Sequence, residues 1–272
     1  MKSLLVHMDG TLRCKARLQI ADTVATRHEA HLTALFAVTP PSLELPFSLL
    51  SDGTELALMR DIHDNWRNQA VETFKAVATT ASPVWAELKA WPACAGFAGQ
   101  ALFADLMVLG QRDREDQAFQ VPPDFVPAVM IESGRPALVI PQVGDFSSVG
   151  QRVLVAWKPS PSSARALTAA LPFLRTASHV NVVEWGSPQD NCKGEPLDVQ
   201  TYLGAHGVKA TFHREAAEPH DIGEQLLSCA ADESADLLVM GCYGHSRARE
   251  LILGGATRTI LQSMTLPVLM SH

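Results

Sequence analysis

No run in the 272-residue chain reaches the ~20 consecutive apolar residues that a membrane helix needs. The amino-terminal apolar stretch around His7 is cut off by Asp9, too short and wrongly flanked for a signal peptide. Neither secretion nor membrane spanning is expected. Positive charge is also scarce: 22 basic residues against 29 acidic ones leave a net charge of −7, which excludes the concentrated basic field of a nucleic-acid-coating or membrane-surface protein. Any phosphate ligand must then be held locally. The five cysteines, Cys14, Cys94, Cys192, Cys229 and Cys242, form no CxxC pair, and the ten histidines form no H-x3-H pair, so zinc and dithiol chemistry have no sequence basis. A reducing cytoplasm is the simplest setting. No Walker loop occurs, so the usual parts for energetic ATP turnover are missing.

What is present is ordinary globular composition, 47% apolar and 19% charged, in a length that fits two domains or one large α/β unit. Internal repetition decides between them. Ser3-Leu-Leu-Val-His-Met-Asp-Gly-Thr11 is echoed 149 residues later by Arg152-Val-Leu-Val-Ala-Trp-Lys-Pro-Ser160. Ala104-Asp-Leu-Met-Val-Leu-Gly110 returns 131 residues later as Ala235-Asp-Leu-Leu-Val-Met-Gly241, and Pro136-Ala-Leu-Val-Ile140 returns at that same offset as Pro267-Val-Leu-Met270. Three matches in one order mean two copies of one domain. The smaller offset assigns about eighteen extra residues to the first copy, placed between Pro40 and Thr54, where Pro40, Pro41, Pro46 and Gly53 break regular structure. The polar, turn-rich stretch 141–150 is the linker, which gives domains at 1–143 and 150–272.

Each copy alternates strand and helix. In the second, strands are expected at Val153–Trp157, Val180–Glu184, Ala210–His213, Leu237–Met240 and Val268–Met270. Helices are expected from Ser162, near Leu197–His206, over Asp221–Glu233 and from Gly254. In the first, Met59, Ile62, Trp66, Phe74 and Val77 fall at helical spacing, with Asp52 and Glu55 as a capping box, while His28 and His31 mark a helix end meeting a strand. The alternation predicts an α/β fold with a doubly wound, mostly parallel sheet in each copy, and such sheets bind ligands beyond their carboxyl ends.

The chief local pattern is Gly241-Cys-Tyr-Gly244, nine residues, then Gly254-Gly255-Ala256-Thr257 opening the last helix. Glycines after a buried strand admit an anion close to backbone N–H groups, and a helix start adds unpaired donors. The same glycines would also serve a tight turn and close helix packing, and spacing alone does not separate these readings.

The segment Asp236-Leu-Leu-Val-Met-Gly-Cys-Tyr-Gly-His-Ser-Arg-Ala-Arg-Glu-Leu-Ile-Leu-Gly-Gly-Ala-Thr-Arg258, with Thr265-Leu-Pro-Val-Leu-Met270, resembles the carboxyl-terminal signature of the universal stress protein family. Its nucleotide-binding members carry G-x2-G-x9-G followed by Ser or Thr. With the repeat, the resemblance extends over nearly the whole chain as a tandem two-domain member. It implies two tandem copies of a five-stranded, Rossmann-like sheet of the adenine-nucleotide alpha-hydrolase type, with ATP at the strand ends, Mg²⁺ with it at most, and stress tolerance as the role. The site residues it implies are Gly241, Gly244, His245, Gly254, Gly255, Ala256, Thr257, Lys158 and Val183, the last through its backbone to the base.

Two departures stand out. Gly255 replaces the hydroxyl residue, with Thr257 as a substitute donor, and Lys158 stands where the family ends its first strand with Asp. The first copy keeps Asp9 but places Asp113, Pro123 and Asp124 where the second has Gly244, Gly254 and Gly255, so it reads as a degenerate site without nucleotide. Residues 1–150 hold 12 basic and 17 acidic side chains and the remainder 10 and 12, so the acidity lies mostly with that copy. Arg247, Arg249 and Arg258 surround the glycine loop, as ligands for a polyphosphate or as a solvated face.

Met8-Asp9-Gly10-Thr11 approximates the D-x-D-G-T phosphatase motif, but its nucleophile position is His7. Gly244-His-Ser246-Arg-Ala248 approximates a nucleophile elbow, but Ser246 lies six residues past Met240 and the only later histidine is His272, so a serine hydrolase cannot be assembled. The alternative of another class is a non-nucleotide, pseudo-dimeric scaffold whose glycine loop only packs. Enzymatic activity beyond slow hydrolysis of bound nucleotide is not implied. The two copies are expected to pair through their last strands, with a homodimer left open.

Overall fold

Short apolar runs become central strands when helices cover both their faces, and the burial of Ser3–Met8, Leu106–Gly110 and Leu237–Gly241 shows this pattern. The computed structural model describes residues 1–41, 53–77, 83–89, 92–112, 120–185, 197–215, 221–243 and 255–272. In order these form β1 (Ser3–Met8), α1 (Cys14–His28), β2 (His31–Phe36), α2 (Gly53–Val77), β3 (Val84–Glu87), α3 (Ala93–Ala101), β4 (Leu106–Gly110), α4 (Phe125–Ser133) and β5 (Ala137–Ile140). There follow β6 (Arg152–Trp157), α5 (Pro161–Leu174), β7 (His179–Trp185), α6 (Val199–Ala205), β8 (Thr211–Glu215), α7 (Ile222–Asp232), β9 (Leu237–Gly241), α8 (Ala256–Ser263) and β10 (Val268–Ser271). The strand and helix expectations for the second copy hold within two residues at most ends, and α1 and β2 meet between His28 and His31 as expected. Asp52 and most of the Pro40–Thr54 insertion lie outside the described residues.

The chain divides into two compact units, Met1–Arg135 and Pro136–His272. In the first, strands run in the order β3, β2, β1, β4, all parallel, with Ser3 opposite His31 and Leu4 opposite Leu106. In the second, β10, β9, β6, β7 and β8 are parallel, with Val153 opposite both Val180 and Leu237. Strand β5, the fifth strand of the first sequence copy, belongs by its contacts to the second unit. It lies antiparallel to its repeat counterpart β10, with Leu138 opposite Leu269. Successive strands go outward on one side and return on the other, so each unit is doubly wound. Its switch point lies between β1 and β4, or between β6 and β9.

Helix ends follow from local chemistry. Ser160, Asp198 and Asp221 are N-caps whose side chains accept from the N–H groups of Ser163, Thr201 and Glu224, and Pro161 supplies the preset first residue of α5. Helix α4 stops at Gly134, whose φ of 62° is the left-handed C-cap. Among the described residues no helix is long and apolar enough to cross a membrane.

The repeated Ala-Asp-Leu motif has a structural use that the repeat alone does not show. Asp105 Oδ2 accepts from the N–H groups of Lys2 and Ser3 at 2.6 and 3.1 Å, and these bonds, the Lys2 one foremost, hold its carboxyl below the usual range. Asp236 does more: Oδ1 accepts from Gly150, Gln151 and Arg152 N–H at 2.9–3.0 Å, and Oδ2 from Ser148 Oγ at 2.8 Å. One carboxylate in each copy thus pins the entry to the central strand. Asp236→Ala leaves several backbone donors without it and is expected to cost about 2 kcal/mol in urea unfolding, whereas a loss under about 0.5 kcal/mol would show that water replaces the clamp.

Candidate functional site

The carboxyl ends of β6 and β9 form the second unit's switch point. Gly241 ends β9, and a Cβ there would stand 2.5 Å from Ser163 N and 2.7 Å from Ser162 Oγ. The start of α5 therefore presses directly on this glycine, which gives Gly241 a packing reason that needs no ligand. The hydroxyls beside it are internally tied: Ser160 Oγ lies 3.0 Å from Ser163 Oγ and 3.2 Å from Ser162 Oγ, and Ser162 and Ser163 are buried.

Beyond Gly241, Cys242 N–H donates to Ser271 O at 2.9 Å, and Tyr243 takes a φ of 52°. On the far side of the loop, Gly255 is the N-cap of α8, extended at φ −62° and ψ 157°, and provides no side-chain cap. Arg258 and Thr259 N–H turn back to Gly255 O, while the N–H groups of Ala256 and Thr257 have no acceptor among the described residues. These are the donors a helix start offers an anion. Thr257 is buried and accepts from Tyr243 N–H at 3.4 Å.

Lys158 follows β6 and is exposed. Val183 is buried two residues before β7 ends, opposite Ala156 and His213, so the surrounding ladder, not a free strand end, occupies its backbone. Gly241, Gly255, Ala256 and Thr257 are thus gathered at the exit of β9 and the start of α8. Gly244, His245 and Gly254, with Arg247, Arg249 and Ser246, lie outside the described residues.

The first unit's equivalent crevice is filled by its own side chains. Arg17, at the end of the first turn of α1, donates through Nε to His7 O at 2.6 Å and brings Nη2 within 2.8 Å of Asp9 Oδ2, an ion contact without hydrogen-bond alignment. Its Nη1 fills the space where Gly110, the counterpart of Gly241, would carry a Cβ. Asp9 Oδ1 accepts from Thr11 N–H and Oγ1–H at 3.0 and 2.6 Å. The aspartate retained from the family pattern is therefore consumed internally. Gln120 Oε1 accepts from Gly10 N–H at 2.7 Å, and a Cβ on Gly10 would stand 2.8 Å from Cα and Cβ of Trp66 on α2. Asp9 and Arg17 are 5% and 4% exposed.

Arg17, Trp66 and Gln120 were not legible as site residues. The available signal was an arginine on the stripe of Cys14, Leu18 and Ala21, where a buried cation requires a partner. Trp66 and Trp157 are half-buried, and Trp85 packs at 6.2 Å on Phe36 while donating to Glu87. Asp113, Glu115 and Asp116 lie outside the described residues. The described cysteines, Cys14, Cys94, Cys229 and Cys242, are free thiols.

A doubly wound parallel sheet with glycine-ended strands and an uncapped helix start at the switch point defines a Rossmann-like ligand-binding fold. Residues 150–272 match the model of the universal stress protein family. Over 80 residues the chain is 33% identical to the universal stress protein MJ0577 of Methanocaldococcus jannaschii, which is 29% of this chain and 48% of that protein. Over 46 residues it is 41% identical to the universal stress protein Slr1230 of Synechocystis, 17% of this chain and 16% of that protein. The matched stretches thus span half or less of these relatives. A universal stress protein structure from Archaeoglobus fulgidus superposes with a TM-score of 0.71 at 17% identity, over 99% of this chain and 95% of that one, and shares its fold. The second domain, residues 150–272, is thus similar to the universal stress protein family.

The filled crevice of the first unit carries a pH signature. His7 is 2% exposed, edge-on to Phe97 at 5.6 Å and tilted on Phe125 at 4.6 Å. Burial, reinforced by Arg17, pushes its imidazole down to about 4. It is neutral at pH 7, and Nε2 donates to Ala37 O at 2.7 Å. Burial raises the Asp9 carboxyl, but Arg17, His7 and Thr11 outweigh it and hold it at about 2. Between pH 6.5 and 4 the unfolded chain therefore binds the His7 proton and the native one does not, so stability falls with falling pH. Integrated over that window the loss is about 3 kcal/mol, and Asp9 adds a further loss below its unfolded value. Urea unfolding of the first unit, followed through Val6 and Leu106 methyl signals, should show this slope in the native chain and not in His7→Leu. An equal slope in both would contradict the assignment.

Proposed function

We propose that this chain is a stress-response protein whose second domain binds an adenine nucleotide, ATP, at the exit of β9. The observation that carries the reading is the first turn of α8: its Ala256 and Thr257 N–H groups have no acceptor among the described residues, and Thr257 Oγ1 receives Tyr243 N–H at the exit of β9. They also flank the loop whose glycines have the family's nucleotide-binding spacing. In this reading Gly241, Gly244, His245, Gly254, Gly255, Ala256 and Thr257 surround the phosphates, Lys158 borders the nucleoside as a point charge, and Val183 flanks it from β7. Mg²⁺ is an accompanying ion, and turnover is limited to slow hydrolysis.

The first domain takes no nucleotide. Its strand ends are filled by Arg17, Trp66 and Gln120, and the Asp9 carboxylate already has its partners. The domains are taken as 1–143 and 150–272 in a cytoplasmic protein. The copies are proposed to pair through their last strands, a reading supported by the antiparallel register of β5 and β10.

A scaffold without nucleotide has one observation in its favour, the close packing of Gly241 against Ser163. Calorimetry separates the two. With ATP and Mg²⁺ the native chain is expected to bind one equivalent and Gly244→Asp, which imitates the first copy, none. No heat in the native chain would leave the scaffold, and unchanged binding in the variant would move the site elsewhere.

A further inference from the structure

The start of α8 is held from two sides, by α7 and by Tyr243 of the Gly241–Gly244 stretch. On one side, Gly223 in the first turn of α7 has no room for a side chain: a Cβ there would stand 2.5 Å from Thr259 Cβ, 2.8 Å from its Cγ2 and 3.2 Å from Ala256 O. Helix α7 therefore lies against the backbone of the first turn of α8. On the other side, Tyr243 sits two residues past β9 in a left-handed conformation that L-residues seldom adopt, and its N–H is received by Thr257 Oγ1. Thr257 is 4% exposed and Tyr243 half-buried, so this bond is part-buried. Its hydroxyl is not spent on capping α8, because the cap residue is Gly255 and the bond crosses to the strand exit.

We infer that Thr257 and Gly223 are positioning residues: Thr257 staples the exit of β9 to α8, and Gly223 sets how closely α7 lets that helix start approach the crevice. The nucleotide reading assigned Thr257 as a direct phosphate donor. Its observed bond is to the backbone of Tyr243, so it acts on the ligand through the placement of the Ala256 and Thr257 N–H groups. The methyl of Thr257 is not needed for this, but the oxygen is. Only the phosphate end of a ligand senses the placement, because the donors concerned are those of the helix start.

The ligand readout rests on the nucleotide reading, and the staple itself does not. Amide exchange at Tyr243 is measured in the native chain, Thr257→Val and Thr257→Ser, and calorimetry compares ATP with adenosine in these chains and in Gly223→Ala. Tyr243 exchange should accelerate about tenfold or more in Thr257→Val and stay near native in Thr257→Ser. ATP affinity should fall about tenfold in Thr257→Val and Gly223→Ala with adenosine affinity unchanged, and Thr257→Ser should restore it. Native exchange at Tyr243 in Thr257→Val overturns the staple, and equal losses for ATP and adenosine overturn the positioning role. A native chain that ignores ATP refutes the nucleotide reading alone, since Tyr243 exchange still decides the staple.

Discussion

The ligand end of each unit is governed by the space above one glycine. Gly110 ends β4 and Gly241 ends β9, and in both the helix that follows the central strand, β1 or β6, reaches that glycine. In the second unit the contact is made by the backbone of Ser163 and the hydroxyl of Ser162, in the first by the guanidinium of Arg17. A side chain at Gly241 would push the start of α5 off the sheet, whereas one at Gly110 would displace the Arg17 guanidinium.

From that shared constraint the two copies part. Asp9 and Arg17 of the first copy correspond, at the repeat offset of 149, to Lys158 and Ala166 of the second. Burying a carboxylate beside a cation is costly in desolvation, and the pair persists because Asp9 also receives both hydrogens of Thr11 while Arg17 also donates to the His7 carbonyl. Such a cluster leaves no charge for a ligand. The second copy has Lys158 in place of the aspartate and Ala166, 1% exposed, in place of the arginine, so these two positions form no internal ion pair of this kind. The net acidity of the chain lies mostly in the copy whose crevice is filled.

The alternation of strands and helices was legible because each central strand is an apolar run bounded by glycine, proline or a cap residue, and the repeat placed the strands in order. Asp221 and Ser160 as caps follow the same local logic. What was not legible depends on contacts between residues far apart in the chain: Arg17 over Gly110, Gln120 on Gly10 and Gly223 against Thr259 carry no periodic signal. Asp9 shows the effect on function most clearly. In the sequence it matches the strand-end Asp that the family resemblance leads one to expect, and in the structure it is the counter-ion of a buried arginine. Gly241 likewise fits the phosphate spacing, yet packing alone accounts for it.

The central claim is that the two equivalent crevices have divided their roles, one closed by its own residues and one open to a nucleotide. Amide resonances of the full chain titrated with ATP test it directly. Shifts at Gly241, Tyr243, Ala256 and Thr257, with Gly10, Thr11 and Gly110 unmoved, are the predicted result. Shifts at Gly10, Thr11 and Gly110, or none at either crevice, would contradict it.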